Sequence, residues 1–173
     1  MTENFTAYYR SPIGIIEIIG SENGVSSVLF VEKADGRNKI PNCLNACVAQ
    51  LDEYFNRDRK EFSLKLDLQG TDFQKRVWHK LLRIPFGKTV SYLDIATAIG
   101  NRKSTRAVGS ANGRNPICII VPCHRVIGTN GSLINYGGGL WRKEWLLKFE
   151  GRTGQVNLFE HDNATAKSRH AIR

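Results

Sequence analysis

The sequence predicts an α+β fold made of two unlike domains, in which a small strand-rich domain precedes a helical one containing a helix-turn-helix. Three observations carry this prediction. Residues 1–70 show β-branched segments ahead of one amphipathic helix, residues 71–151 show repeated helix-start signals, and the net charge changes sign between them. With 173 residues, of which 41% are hydrophobic and 24% charged, the chain can build a packed core.

The charge of the chain is concentrated in its middle. The formal net charge of +9 comes from 25 Lys and Arg against 16 Asp and Glu. Residues 1–70 carry 8 basic and 10 acidic side chains, residues 71–150 carry 13 and 4, and residues 151–173 carry 4 and 2. An excess confined to the middle segment indicates a polyanion-facing module joined to a near-neutral one, whereas a generally basic surface would spread the charge.

Location and cysteine use follow from composition. No apolar run is long enough for a transmembrane helix, and Met1–Arg10 lacks an apolar signal segment, so we expect a soluble, cytoplasmic protein with no membrane partner. Four cysteines are then expected to be free thiols rather than a disulfide framework. Cys43 and Cys47 share a helix face, but no His or further Cys clusters near them, which favours core packing over a metal site.

The first domain is expected to consist of strands followed by a helix. A segment rich in β-branched and aromatic residues, Tyr8–Ile19, is broken by Ser11-Pro12 and Gly14, and after a turn Val25–Val31 forms the second arm of a hairpin. Apolar positions from Leu44 to Phe55 recur at helical spacing, and Phe62–Leu68 alternates as a short strand.

The second domain begins with capping signals. Thr71 with Gln74 and Ser91 with Asp94 each resemble a capping box, and Ser104 is expected to cap a further helix that runs to about Gly113. The last two of these helices, joined by a tight turn, form a helix-turn-helix. Residues 117–121 are then expected to form a buried strand, followed by a Gly-rich turn, a short strand and a final helix over about 140–149, with 152–173 as a loose tail.

The second helix of the helix-turn-helix has an unusual face. At about 100° per residue, Ala107, Val108 and Ala111 are expected to face inward. The opposite side is then a flat face of small residues with one long cation, formed by Arg106, Gly109, Ser110 and Gly113. A glycine inside a helix costs about 1 kcal/mol relative to Ala, so the face needs a reason. Close approach to a phosphate backbone is one; close helix–helix packing with an exposed Arg is the alternative.

Cys123 is the strongest candidate for chemistry. It follows a buried apolar segment and Pro122, and His124 comes next in the chain. A thiol needs a base to become a nucleophilic thiolate, and a carboxylate can hold that imidazole in the required tautomer. Only four acidic residues lie in the basic segment, and Glu150, at the end of the last helix, is the plausible third member. On residue types alone, a structural buried Cys is an equally good reading.

A resemblance to a known family adds to this reading. Pro122-Cys123-His124-Arg125-Val126 is similar to the active-site motif of the O6-alkylguanine-DNA alkyltransferases, also called methylated-DNA–protein-cysteine methyltransferases. Further family motifs follow in the same order and spacing, and they are Phe73-Gln74-x-x-Val77-Trp78, Phe86–Tyr92, Arg106–Gly109, Asn115-Pro116, Tyr136–Leu140 and Lys143–Leu147. The match is close over residues 71–151, and the first 70 residues follow the family only in their general pattern.

The resemblance implies a fold and a reaction. The expected domains are a ribonuclease H-like α/β scaffold (1–70), a winged-helix/helix-turn-helix domain that binds DNA and accepts the alkyl group (71–151), and the tail (152–173). The protein would bind alkylated double-stranded DNA through the minor groove as a monomer, without metal or cofactor, and flip the damaged guanine. Cys123 would take the alkyl group from O6-alkylguanine, or from O4-alkylthymine, and keep it, so that each molecule acts once as a DNA-repair transferase.

The resemblance also assigns roles to residues. Cys123, His124, Glu150 and Tyr92 would be catalytic, with Tyr92 giving a proton to guanine N3. The expected DNA contacts are Arg106 as an intercalating finger together with Ser104, Thr105, Gly109, Ser110, Gln74, Asn101 and Thr129. The expected base pocket is formed by Asn115, Val126, Tyr136, Gly137, Cys118 and Ile134.

Two of the pocket positions depart from the family pattern. Ile134 stands where the family often has Gly, which would narrow the pocket against bulky alkyl groups. Cys118 stands where many relatives have another small residue or proline. Because its separation of five from Cys123 along a strand turns it to the other side, it is expected to be a packing thiol.

Three other function classes are weighed against this one. A DNA-binding module without transfer activity would lack the reactive cysteine, which is present here. A transcription regulator reading the major groove would need base-reading polar side chains on its recognition helix, whereas this helix shows Gly and Ser beside one Arg. The zinc-type sensing module that is fused to some relatives is not expected here, which also argues against a regulator. A cysteine hydrolase would need an oxyanion-hole loop, and none is evident in the sequence.

Overall fold

The computed structural model describes residues 3–36, 39–152 and 159, and these fall into two compact units. One unit is formed by 1–70 together with 116–120, and the other by 71–115 together with 121–173. The predicted tail lies outside the described residues except at 152 and 159. None of the described helices combines the length and the apolar character that a membrane span requires.

The first unit is built on a three-stranded antiparallel meander. Its strands are β1 (Phe5–Ser11), β2 (Gly14–Ser21) and β3 (Gly24–Val31), which pair in the order β1-β2-β3. Helix α1 (Asn45–Phe55) follows a 3₁₀ turn at Asn42–Leu44 and contributes Leu51, Tyr54 and other buried residues to the core. The predicted hairpin and helix are confirmed, with the break at Ser11-Pro12 and Gly14 acting as a tight turn between two strands.

The second unit consists of short helices and one small parallel sheet. Its helices are α2 (Asp72–Leu81), α3 (Tyr92–Ala98), α4 (Thr105–Gly113) and α5 (Leu140–Phe149). Strands β4 (Val90–Ser91) and β5 (Val126–Ile127) pair in parallel. Both predicted capping boxes are present. The hydroxyl groups of Thr71 and Ser91 accept from the backbone N–H groups of Gln74 and Asp94, whose side chains accept in turn from the backbone N–H groups of the two caps. Trp78, which is buried, donates its indole N–H to the Ala111 carbonyl and thereby fixes α2 against α4.

Three predicted strands are absent from the described chain. Only Leu66 of Phe62–Leu68 forms a bridge, to Val25, and no strand lies between the turn at 128–131 and Tyr136. Within residues 117–121, Ile117 alone forms a bridge, to Val28. The chain then turns, because Ile119 adopts a left-handed φ of 71° and the Ile120 N–H donates to the Cys118 carbonyl at 2.8 Å. Local β-propensity therefore yields to a turn that leads the chain out of the first unit.

The predicted cap and inner face of α4 are also partly wrong. Ser104 lies in a 3₁₀ turn, Arg102–Ser104, and its hydroxyl donates to the Asn101 carbonyl instead of capping α4. Ala107 is exposed and Gly109 is buried, the reverse of the prediction. The inward face is set by what lies beneath it, because a side chain at Gly109 would contact the Tyr92 ring and the Asn135 amide.

Candidate active site and nucleic-acid interface

Cys123 begins a 3₁₀ turn, Cys123–Arg125, and its side chain is buried. The side-chain amide of Asn115 donates to Cys123 Sγ at 3.1 Å and to the Val121 carbonyl at 2.8 Å. The amide of Asn112, in the last turn of α4, donates to the Cys123 carbonyl at 3.3 Å. An N–H donor on sulfur stabilises the thiolate more than the thiol. Two asparagines, one in the last turn of α4 and one just after it, therefore hold the candidate nucleophile.

His124 is completely buried next to Glu150. Its Nε2 lies 2.8 Å from Glu150 Oε1, while its Nδ1 has no hydrogen-bond partner among the described residues. Burial lowers the pKa of His124, with Arg125 and Lys143 acting in the same direction against the opposing effect of Glu150. A neutral imidazole that donates from Nε2 to a carboxylate presents Nδ1 as a proton acceptor. The Glu150 contact thus favours the tautomer in which Nδ1 of His124 can act as a general base.

Glu150, at the C-terminal cap of α5, gathers four hydrogen bonds inside the unit. Arg125 donates to both carboxylate oxygens at 2.9 Å, and the backbone N–H of Gly87 donates at 3.1 Å, in addition to His124. Burial alone would raise the pKa of Glu150, but His124 and the Arg125 guanidinium outweigh it and hold that pKa well below its usual range. Glu150 is therefore a permanent anion that orients His124.

Gly87 is required at its position by geometry. Its φ is 73°, and a Cβ there would lie 2.9 Å from the Glu150 carbonyl oxygen. A side chain would therefore be strained and would also push against the backbone at Glu150. The Phe86-Gly87 turn thus brings an N–H donor against the carboxylate.

Tyr92 opens α3 with its phenol buried. Its hydroxyl donates to the Ile134 carbonyl at 2.7 Å, and the Lys143 ammonium donates to the same hydroxyl at 3.3 Å. Burial raises the pKa of Tyr92, and the charge of Cys123 adds to that shift. The phenol therefore keeps its proton at neutral pH and in this structure donates it to the Ile134 carbonyl.

Lys143 is a site residue that sequence reasoning missed. It is completely buried, and its Nζ donates to the Ile134 carbonyl at 2.7 Å as well as to Tyr92. Burial lowers its pKa to about 8, against the opposing effect of Cys123. A signal was present, because Lys143 shares the i, i+3, i+4 and i+7 positions of α5 with Leu146, Leu147 and Glu150.

The predicted pocket residues divide between the two units. Val126, in β5, and Tyr136 are buried in the second unit, where Gly137 comes so close to the Gly113 carbonyl that a Cβ would lie 3.4 Å from it. Ile134 supplies its carbonyl to Tyr92 and Lys143, while its side chain is 45% exposed. Cys118 is buried with the first unit, where its N–H donates to the Val28 carbonyl.

The predicted DNA contacts are mostly exposed or half-buried. Arg106, Ser110, Asn101 and Thr129 are exposed, and Ser104, Thr105 and Gln74 are half-buried. Gly109 lies with Tyr92 on the inner face, so its predicted place beside Arg106 is wrong.

Four cations are exposed along residues 102–114, and we call this set the cationic face. They are Arg102, Lys103, Arg106 and Arg114. No acidic residue occurs between positions 95 and 143, so this face offers a polyanion a surface with little repulsion.

Two family models together match most of the chain. The model for the ribonuclease-like domain of 6-O-methylguanine DNA methyltransferase matches residues 4–68, and that for the DNA binding domain matches residues 72–152. With the elements described above, these matches confirm the predicted α+β fold of a ribonuclease-like domain followed by a DNA-binding domain.

Individual relatives agree with the family models. A methylated-DNA–protein-cysteine methyltransferase of Methanosarcina acetivorans is 47% identical in an alignment of 154 positions that covers 85% of this chain and 98% of the relative. One of Mycobacterium tuberculosis is 47% identical in an alignment of 159 positions that covers 87% of this chain and 96% of the relative. The crystal structure of Mycobacterium tuberculosis OGT in complex with DNA superposes with a TM-score of 0.77 at 45% identity and covers 88% of this chain and 96% of that one.

Proposed function

The chain belongs to the 6-O-methylguanine DNA methyltransferase family, and on this premise we propose that it repairs O6-alkylguanine in double-stranded DNA by moving the alkyl group to its own Cys123. The observation that carries the proposal is the buried cluster in which Asn115 donates to Cys123 Sγ and the neighbouring His124 is paired with Glu150 at 2.8 Å. These are the groups that thiolate chemistry requires.

In the first step, Cys123 loses its proton. The proton passes from Sγ to Nδ1 of His124 through a water molecule, because adjacent side chains diverge. Glu150 then faces an imidazolium and stabilises it, while the Asn115 amide stabilises the thiolate.

In the second step, the thiolate attacks the alkyl carbon on the side opposite guanine O6. The S–C bond forms as the C–O6 bond breaks, and the electron pair of that bond goes to the guanine. Tyr92 gives its phenolic proton to guanine N3, so the base leaves neutral. Lys143, which donates to the same oxygen, stabilises the charge that Tyr92 acquires. The product is a thioether. Because water does not hydrolyse a thioether, Cys123 stays alkylated and each molecule reacts once.

For this chemistry, the guanine must leave the duplex. The O6 substituent is unreachable inside the base stack, and extrusion costs a few kcal/mol. We propose that the cationic face holds the phosphates at the minor groove and that Arg106 fills the space left by the base. Ser104, Thr105, Ser110, Gln74, Asn101 and Thr129 are the proposed polar contacts to the strand. Asn115, Val126, Tyr136, Gly137 and the Ile134 carbonyl are the proposed pocket.

The proposal extends to the organisation of the protein. Residues 1–70 form the scaffold and residues 71–151 bind DNA and accept the alkyl group. Since all four proposed catalytic side chains belong to one unit of one chain, we propose that the protein acts as a monomer, and that it acts in the cytoplasm on chromosomal DNA.

The experiment is to incubate the protein with a duplex oligonucleotide carrying O6-methylguanine and to determine its mass. One added methyl group, located on Cys123 by peptide mapping, is the expected result. A Cys123→Ser variant is expected to bind the same duplex and gain no mass, whereas a Cys118→Ser variant is the matched control and is expected to gain it. Retained binding without added mass in the unaltered protein would point to a binding module instead.

A further inference from the structure

An exposed tryptophan follows the Tyr136-Gly137 segment of the proposed pocket by a few residues in the chain. Trp141 is 55% exposed, Leu140 is 49% exposed and Ile134 is 45% exposed. These are half of the six large apolar side chains that are exposed in the described part of the chain, and they fall within eight consecutive residues. Clustered exposed apolar side chains on a soluble surface mark an interaction site more often than scattered ones do.

The position of this segment relates it to the recognition helix. Gly137 lies against the Gly113 carbonyl, and Gly109 faces the Asn135 amide, so residues 135–137 run along α4. The Ile134 carbonyl is the acceptor for both Tyr92 and Lys143. A base that is extruded from DNA on α4 and reaches Tyr92 therefore comes next to residues 134–137, which precede Trp141 in the chain.

The indole is held as a platform rather than as a loose side chain. The Arg142 guanidinium carbon lies 4.4 Å from the Trp141 ring centroid, and the same guanidinium donates to the Gly138 carbonyl at 2.8 Å. Gly139 has a φ of 89°, and a Cβ at this position would lie 3.5 Å from the Trp141 ring. The glycine therefore leaves this side of the indole uncovered. An aromatic face paired with a fixed arginine is a combination that binds unstacked bases.

Charge decides which partner fits this surface. The segment from Arg125 to Lys143 contains no acidic residue, the exposed Glu144 that follows is paired with Lys148, and the cationic face lies on the same unit. An apolar, cation-bordered surface complements a nucleotide, which combines a flat base with a negative phosphate.

We propose that Trp141 is a stacking platform for a nucleotide next to the extruded guanine, with Leu140 and Ile134 as apolar borders. This inference rests on the proposed function and deepens it, because extrusion of one base leaves the neighbouring bases with uncovered faces. A platform for such a base lowers the cost of the extruded state without touching the reacting atoms.

The test separates duplex repair from reaction with a free base. The rate of Cys123 alkylation is measured by mass with a duplex carrying O6-methylguanine and with free O6-methylguanine, so that both substrates carry the same alkyl group. For Trp141→Ala, the ratio of the duplex rate to the free-base rate is expected to fall about five- to hundredfold, the range that one base–aromatic stack provides. Trp141→Phe is expected to recover most of the ratio, and Leu82→Ala, which removes another exposed apolar side chain of this unit, is expected to leave it unchanged.

A binding measurement keeps the inference independent of methyl transfer. In a Cys123→Ser background, affinity for the lesion duplex is expected to fall with Trp141→Ala and to persist with Leu82→Ala. An unchanged affinity and rate ratio would overturn the inference while leaving the proposed function standing. The inference would also be overturned by a Trp141→Ala variant that binds DNA normally but sediments differently from the unaltered protein, because that result would identify a self-association surface.

Discussion

In the second unit, the buried charged side chains are held by specific hydrogen bonds, whereas the charged side chains of the cationic face are exposed. Inside, Arg125 and His124 each bond the Glu150 carboxylate, and Lys143 bonds a phenol and a carbonyl. Outside, Arg102 and Arg106 are exposed. The charged groups of Glu150, Arg125 and Lys143 are costly to bury and are tolerated because each is hydrogen-bonded, so each has a defined position. The exterior charges need no partner and act through their number, which suits a surface that slides along DNA.

The largest effect is expected from breaking the interior cluster at its centre. Glu150→Gln removes the anion while leaving Arg125 buried, and loss of one partner of a buried ion pair costs about 3–5 kcal/mol. It also leaves the imidazolium of His124 without its counter-charge, so the alkylation rate is expected to fall at least about 100-fold. Urea unfolding and the mass-based rate measure the two effects.

The control for Glu150 lies on the same helix. Glu144→Gln removes an exposed carboxylate that pairs with Lys148, also exposed, and such pairs contribute little. It is expected to change neither stability nor rate appreciably. If Glu150→Gln behaved like Glu144→Gln, the interior cluster would not be the catalytic support described above.

Lys143 provides the next test because its removal is expected to lower the alkylation rate without lowering the free energy of unfolding. Lys143→Met keeps a long unbranched side chain but removes the charge, so the donor to Tyr92 is lost and the alkylation rate is expected to fall about 100-fold. The free energy of unfolding is expected to hold or rise at neutral pH, because a buried charge no longer has to be desolvated. A variant that lost rate and stability together would indicate a purely structural lysine.

The same lysine predicts a pH dependence of stability. Its pKa falls from 10.5 to about 8 on folding, so between these values the unfolded chain binds the proton and the folded protein does not. The free energy of unfolding of the unaltered protein is therefore expected to rise, relative to Lys143→Met, as pH increases from about 8 to 10.5. The gain is on the order of 3 kcal/mol. Parallel urea titrations of the two proteins measure it, and parallel pH curves would contradict it.

The sequence predicts some residues of the interior cluster and misses others. Cys123, His124, Glu150 and Tyr92 are predicted together because the motif and the helix ends place them, and the structure brings His124 onto Glu150 and Lys143 onto Tyr92. Lys143 escapes prediction because a lysine between Arg142 and Glu144 looks like a solvated helix surface.

Two further departures have a physical origin in tertiary packing. The β-branched run at 117–121 predicts a strand, yet Ile119 turns with a positive φ where the chain leaves the first unit. Likewise, Gly109 is buried because of what it meets at Tyr92, and no property of α4 alone reveals that neighbour. Local propensity and helical periodicity do not contain the partner surface, so such details follow only from the assembled unit.

The smallest effect is expected on the outer side, where single charges are interchangeable. Replacing Arg102 by Gln removes one phosphate contact, so the slope of log affinity against log salt is expected to become shallower by about one unit, with a loss of affinity of a fewfold at moderate salt. Lys65→Gln, an exposed lysine of the first unit, is the matched control and is expected to leave the slope unchanged. Because the contact reads no base, the loss is expected to be equal for undamaged and O6-methylguanine duplexes. A loss confined to the lesion duplex would instead give Arg102 a fixed, interior-like role and would blur the distinction between the two sets of charges.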